Sequence, residues 1–257
     1  MNEANEWSVS HMTRTELFHT YKSKILQLSD LGEETLKSED FLLDRDEKKQ
    51  LDIYYAPFEY INPDAKVVIA GITPGLYQMR QSFEAIRDLK DATDEEALRA
   101  VKQRGSFSGP IRKNLVTMLD DLELHHHLGI ESSLDLFGSA NHLVQNTAVL
   151  PYPVFYKGKN YNGSSPDMIR TDLFRQYVEG TFAEEMTHLQ DALILPMGVN
   201  VRRAVELLVH QGLLDQERVV SGFPHPSGGN GHRHRIFAEN RDAMKRHIAE
   251  HFKRHPL

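Results

Sequence analysis

Four short apolar runs, separated by stretches of helical pattern, constrain this chain more than any other feature of its sequence. They are Lys66-Val67-Val68-Ile69-Ala70-Gly71, His142-Leu143-Val144-Gln145, Ala192-Leu193-Ile194-Leu195-Pro196 and Arg218-Val219-Val220-Ser221-Gly222. Continuous aliphatic and β-branched runs of this length suit strands buried on both faces, as in a parallel sheet. Helical pattern covers roughly 80–104, 110–122, 166–188, 198–211 and 234–254, with Pro110 suited to a first turn and Ser165 to a cap. This alternation predicts an α/β three-layer sandwich around a central, mostly parallel sheet of about four strands. Ligands bind at the carboxyl ends of the strands in such sheets. Three polar, Gly/Pro-rich segments fall there: 71–75, the chain from Asn146 onward, and 223–230. Topology alone therefore predicts that these loops line one cleft.

The 257 residues show no internal repeat, low-complexity tract or long linker. The expected organisation is a helical extension over 1–60 followed by a single domain over 61–257. In the extension, Leu17, Phe18, Tyr21 and Ile25 recur at helical spacing over about 13–29, with Thr13 or Thr15 as cap. No apolar run is long enough to span a bilayer, and the N-terminus lacks a basic stretch followed by an apolar one. A cytoplasmic protein with no membrane partner is expected. The absence of cysteine excludes disulfides, thiolate zinc sites and cysteine-ligated clusters. The net charge of −7 does not exclude a nucleic-acid partner, because binding depends on local patches. Residues 231–235 are locally basic, as are Lys245, Arg246, Lys253 and Arg254. His125-His126-His127 cannot converge on one ion from a helix, and His247, His251 and His255 stack on one helix face that reads as exposed. No metal, no cofactor and a monomeric state are expected.

Four segments carry a family resemblance. Gly71-Ile72-Thr73-Pro74-Gly75 resembles the first motif of uracil-DNA glycosylases, in the Gly-x-Asn-Pro-Gly form of the mismatch-specific and single-strand-selective branches. His225-Pro226-Ser227 is similar to the second motif of that superfamily. Leu143-Val144-Gln145-Asn146 resembles the strand whose terminal Asn reads a flipped base, and Gly105-Ser106-Phe107-Ser108 resembles the segment whose Phe stacks on it. The order is that of the superfamily, over about residues 66–230.

The resemblance implies a DNA glycosylase that extrudes a pyrimidine into a pocket and hydrolyses its glycosidic bond. Thr73 and His225 would be catalytic, with His225 donating to the base O2, where negative charge accumulates. Ile72, Gly75, Phe107 and Asn146 would bind the base; an Asx-turn for Asn146 and a core position for Phe107 remain open from the residues alone. Ser227, Asn230, His232, Arg233 and Arg235 would contact DNA, since no bulky apolar wedge follows the second motif. Two departures stand out. Thr73 replaces an Asp or Asn, and a hydroxyl orients water without acting as a general base, so help from Glu84 or Asp167 is a candidate. Gly75 replaces the Tyr that blocks the pyrimidine C5 edge in the most uracil-specific branch, which predicts tolerance of C5-substituted bases. The role implied is repair or attack on modified foreign DNA. A binding module of the same fold, impaired at Thr73, and a nucleoside or nucleotide hydrolase are the other readings of such a cleft. The aromatic loop 152–161 reads either as a lid or as packing against the N-terminal helices.

Overall fold

A computed structural model of the chain describes residues 14–105, 107 and 109–257. Thr13, Ser106 and Ser108, named above, lie outside them, as does the side chain of Thr15. In chain order the elements are α1 (Arg14–Gln27), α2 (Glu33–Leu36), β1 (Leu42–Asp46), β2 (Leu51–Tyr54) and β3 (Val67–Gly71). Next come α3 (Leu76–Asp88), α4 (Asp94–Gly105), α5 (Gly109–Asp121), α6 (Leu124–His127), β4 (Val144–Ala148), β5 (Val154–Tyr156) and β6 (Lys159–Asn160). The chain closes with α7 (Asp172–Tyr177), α8 (Ala183–Thr187), β7 (Leu193–Pro196), α9 (Val199–His210) and α10 (Arg233–Arg254). No helix of the described residues is long and apolar enough to cross a membrane.

The protein is α/β with two sheets, divided between two compact units. The first comprises residues up to Tyr60 together with Gly75–Arg104 and Tyr152–Tyr161. It holds an antiparallel sheet in the order β1-β2-β5-β6. The stretch before residue 60 is thus not wholly helical. Leu51 and Ile53 are fully buried, but the charged Asp44-Arg45-Asp46 and the turn after it hide the strand period in the sequence. Segment 152–161 folds as the β5–β6 hairpin, with positive φ at Lys157 (52°) and Gly158 (72°). Such a turn matches the twist of its strands. The hairpin pairs on β2, Ile53 opposite Val154, which is packing within the N-terminal sheet. Aromatic rings fill this unit: Tyr21 stacks on Tyr55 at 4.0 Å and Phe41 meets Phe83 at 4.9 Å. The expected helix at 80–104 is divided at Thr93, whose N–H and hydroxyl both donate to Glu96 at the start of α4.

The second unit comprises Ile61–Pro74, Gly105–Pro151 and Asn162–Leu257. Its sheet is parallel, in the order β4-β3-β7, with Ile69 beside Asn146 and Leu195. Every residue of β3 and β7 is buried. One face carries Val67, Ile69, Val144, Leu193 and Leu195 and packs on Leu115, Leu119, Phe237, Met244 and Ile248 of α5 and α10. On the other face α8 reaches β4 through hydrogen bonds and α9 packs on β7.

The expected fourth strand shrinks to one parallel bridge, Val219 beside Ile194, with the Val220 N–H donating to the Ile194 carbonyl at 2.9 Å. A 3-10 turn at Gln216–Arg218 precedes it and Gly222, at φ +94°, ends it, so too little extended backbone remains for a ladder. The expected strand at 142–146 starts two residues late because Asn141–Leu143 form a 3-10 turn. The expected helix at 166–188 is built from Met168–Arg170, α7, a π-helical Val178–Phe182 and α8, and Asp167, not Ser165, caps its first turn.

The histidine face of α10 is not exposed as the sequence suggests. His251 is 1% exposed, with Nε2 3.2 Å from the Asp191 carbonyl oxygen, and His247 and His255 are half-buried. Burial, reinforced by the neighbouring His255, pushes the His251 pKa down to about 4. An unfolded histidine titrates near the usual value of about 6.5. The folded state therefore binds fewer protons between these values, so stability that is complete above about pH 6.5 is lost as pH falls toward 4. The expected outcome is a melting temperature that declines across this window, and less steeply in His251→Gln. Equal declines in both proteins, followed by circular dichroism, would remove His251 as the cause.

Candidate active site

The carboxyl ends of the parallel strands in the second unit are tied together by the backbone. The Val149 N–H donates to the Gly71 carbonyl and the Leu150 N–H to that of Ile72, both at 3.0 Å, which extends the β3–β4 pairing into the loops. The Met197 N–H donates to Ala70 at 2.9 Å, and the Gly198 N–H to Phe223 at 3.0 Å. The chain steps from β3 to β4 on one side and then crosses to β7 on the other. In open parallel sheets ligands bind where the strand order reverses in this way, here at the ends of β3 and β7. The first-motif loop, Met197-Gly198 and the segment after Phe223 converge there.

Close approaches define the floor of this edge. A Cβ on Gly71 would lie 3.5 Å from the Phe107 ring and 3.6 Å from the Met197 methyl group. Phe107 thus lies over the first motif, while its half-buried ring also packs against the core cluster. Asn146, half-buried, shares the sheet face of that cluster through its register beside Ile69. Gly163, at φ +84°, sits so close to Ile72 that a Cβ would fall 2.7 Å from its Cδ1. The hydroxyl of Thr73, also half-buried, donates to the Pro74 carbonyl at 3.3 Å.

His225 is the most elaborately held of the expected residues. Its Nδ1 accepts the Ser227 N–H at 3.2 Å, which assigns the proton of the neutral ring to Nε2. Burial lowers its pKa, so the neutral form prevails at neutral pH. Side chains hold the carbonyls of this segment in turn. Asn230 Nδ2 donates to His225 O at 3.2 Å, Asn114 Nδ2 to Pro226 O at 2.8 Å, and Arg233 Nη1 to Ser227 O at 2.7 Å. Gly198, at φ +89°, packs under the histidine, where a Cβ would lie 3.0 Å from that of His225. The unit thus offers a fixed, uncharged N–H donor at the carboxyl edge of its sheet.

The remaining expected residues divide by environment. His232 and Arg235 are exposed, the latter 3.7 Å from Glu239. Ser227 is half-buried. Asn230 and Arg233 hold the loop, so part of their bonding capacity is spent inside the protein. Gly75 opens α3 in the first unit, where its N–H donates to Gln78 Oε1 at 3.1 Å and the Leu76 N–H donates to Asn160 Oδ1 at 3.0 Å. A Cβ there would lie 3.2 Å from both amide groups, so the direction left free by the missing side chain is filled. Asp167 accepts two backbone N–H groups and pairs with Arg203 at 3.0 Å. Partial desolvation opposes its charge, yet the Arg203 bond and the backbone donors hold its pKa below the usual carboxylate range. Glu84 belongs to α3 and accepts a hydrogen bond from Gln81. No cluster of three or more histidine and carboxylate groups suited to a metal occurs among the described residues.

No family model matches the sequence. No solved structure matches it either. Over 206 residues it is 40% identical to uncharacterized protein YoxB of Bacillus subtilis (strain 168), a match covering 79% of this chain and 80% of that protein. The chain belongs to the YoxB family.

In this YoxB-family protein, sequence reasoning missed the residues that position His225. Asn114 sits within an amphipathic helix, and nothing in its spacing separates it from a solvated polar residue. Gly198 looked like an ordinary helix start; its positive φ and its contact with His225 belong to the folded chain. Gly198→Ala is expected to destabilise the protein by about 1–3 kcal/mol in urea titration, from backbone strain and the His225 contact. It is also expected to shift the His225 ring resonances in NMR spectra. Wild-type stability and unshifted resonances together would contradict this account of the contact.

Proposed function

We propose that the chain is a monofunctional DNA glycosylase of the uracil-DNA glycosylase superfamily, which flips a uracil or C5-substituted pyrimidine out of DNA and hydrolyses its glycosidic bond. The observation that carries this reading is the held, neutral His225, with its free-face donor assigned to Nε2, on the same edge as the first-motif loop. As the bond to the sugar breaks, negative charge develops on the base. A pre-oriented N–H aimed at O2 stabilises that charge without reorganisation. Phe107 supplies a stacking face and the Asn146 amide a donor and an acceptor for the pyrimidine edge. Thr73 orients the water whose oxygen bonds to the anomeric carbon; the departing base takes the electron pair and later a proton. No lysine lies in the motifs, so water rather than an amine is the nucleophile. His232 and Arg235, both exposed, would meet phosphates. The strand order, with the Val219 bridge extending it beyond β7, supports a uracil-DNA glycosylase-like fold. Repair and attack on modified foreign DNA are both roles such an activity would serve.

Base release from DNA carrying uracil or a panel of C5-modified pyrimidines, read by mass spectrometry, tests the reading. The wild-type protein is expected to release one or more of these bases, and His225→Ala to slow release about 10²–10³-fold. DNA binding without release from any substrate would replace the proposal with a binding module impaired at Thr73.

The pH profile gives a second test. Protonating Nδ1 would set an N–H against the Ser227 N–H and break the bond that orients the ring. Because the folded pKa is lowered, kcat/KM is expected to hold through neutrality and fall with an acid-side midpoint below about 6.5. A midpoint above that value would count against a neutral His225.

A further inference from the structure

Alternation along β4 sends Asn146 to one face of the sheet and its neighbours Gln145 and Thr147 to the other. On that far face lies a carboxylate with no solvent contact, Glu185 of α8, at 0% exposure. Gln145 Nε2 donates to its Oε1 at 2.6 Å and Thr147 Oγ1 to its Oε2 at 3.0 Å. The chain of bonds continues inward. Gln145 Oε1 accepts the Asn62 N–H at 3.0 Å, while Asn62 Nδ2 donates to the carbonyls of His142 at 2.8 Å and Val144 at 3.1 Å. The π-helical Val178–Phe182 immediately before α8 inserts an extra residue per turn, which resets the phase at which Glu185 meets the strand.

Burying a carboxylate carries a desolvation penalty that apolar residues of similar volume avoid. What the polar network gives in return is definition. It grips β4 at the two positions that flank Asn146, and a one-residue slip would send Asn146 to the wrong face. Orientation matters as well. An Asn amide presents a donor and an acceptor side by side, and turning it over exchanges them. One orientation matches the N3–H and O4 of uracil; the other matches N3 and the amino group of cytosine.

We infer that Glu185 is a positioning residue for Asn146, fixing through Gln145 and Thr147 the orientation from which that amide reads a pyrimidine edge. The identity of what is read rests on the glycosylase reading; the grip on the strand does not. Two readouts on the full-length protein separate them. The first is the ratio of kcat/KM for release of uracil and of cytosine from otherwise identical DNA. The second is the Asn146 side-chain amide pair in ¹H–¹⁵N spectra, assigned with Asn146→Asp.

In Glu185→Leu the uracil preference is expected to fall about tenfold or more and the Asn146 pair to broaden or split. Glu185→Gln, which keeps one acceptor, is expected to recover part of both. Thr147→Val removes a single donor at nearly constant volume and reports the same effects should Glu185→Leu fail to fold. Equal slowing on both substrates with a single sharp Asn146 pair would reduce Glu185 to a packing role and overturn the inference. If the wild type releases no base from DNA carrying uracil, cytosine or any C5-modified pyrimidine, the glycosylase reading falls, and the Asn146 resonances alone decide whether Glu185 positions it.

Discussion

Parallel pairing of β3 on both of its edges is the interaction on which the second unit depends. Val67 to Gly71 pair with β4 on one side and, up to Ala70, with β7 on the other, so the central backbone is satisfied without water. Because the register is in phase, the strands end at one level, and the backbone bonds from Val149, Leu150 and Met197 carry the order into the loops. The β3 turn, Met197-Gly198 and the His225 segment are therefore placed by a ladder, not by surface contacts. Catalytic and binding groups set on such a scaffold need little further ordering.

The same burial shapes the electrostatics. His225 and His251 are both driven toward neutrality by desolvation, with different consequences. For His225, a ring nitrogen bonded to a backbone N–H turns neutrality into a directed donor. For His251, at the seam between α10 and the chain near Asp191, neutrality is a condition of packing. Glu185 is kept from water as well, and the Gln145 amide and the Thr147 hydroxyl donate to its two oxygens.

Legibility followed burial. β3 and β7 were readable because both faces are covered, which leaves a continuous apolar run. β4 was only half readable: its Gln145-Asn146-Thr147 core is polar, and that polarity is tolerated because Glu185, forty residues away in sequence, meets it. The antiparallel sheet was not readable at all. β1 and β2 are short and charged, and β2 finds its second partner in residues about a hundred positions later, a pairing no local pattern encodes. Site residues in the loops could be chosen by type and order. Those that hold the loops could not, because Gly163 against Ile72, Gly198 against His225 and Asn114 on Pro226 are facts of tertiary distance.

Thr73 puts a particular demand on the rest of the proposed site. A hydroxyl orients water but removes no proton, so the first motif cannot drive attack on a bond that is still intact. In the proposed reaction the barrier would then fall chiefly by easing departure of the base, a task for the His225 donor. A donor serves a developing charge only if it is already in place. The three side chains on the carbonyls of 225–227, the Ser227 N–H on Nδ1 and the close packing of Gly198 are the means of keeping it there. On this reading the structure concentrates its rigidity where the sequence gives up its base, and the substrates favoured are modified pyrimidines that are better leaving groups.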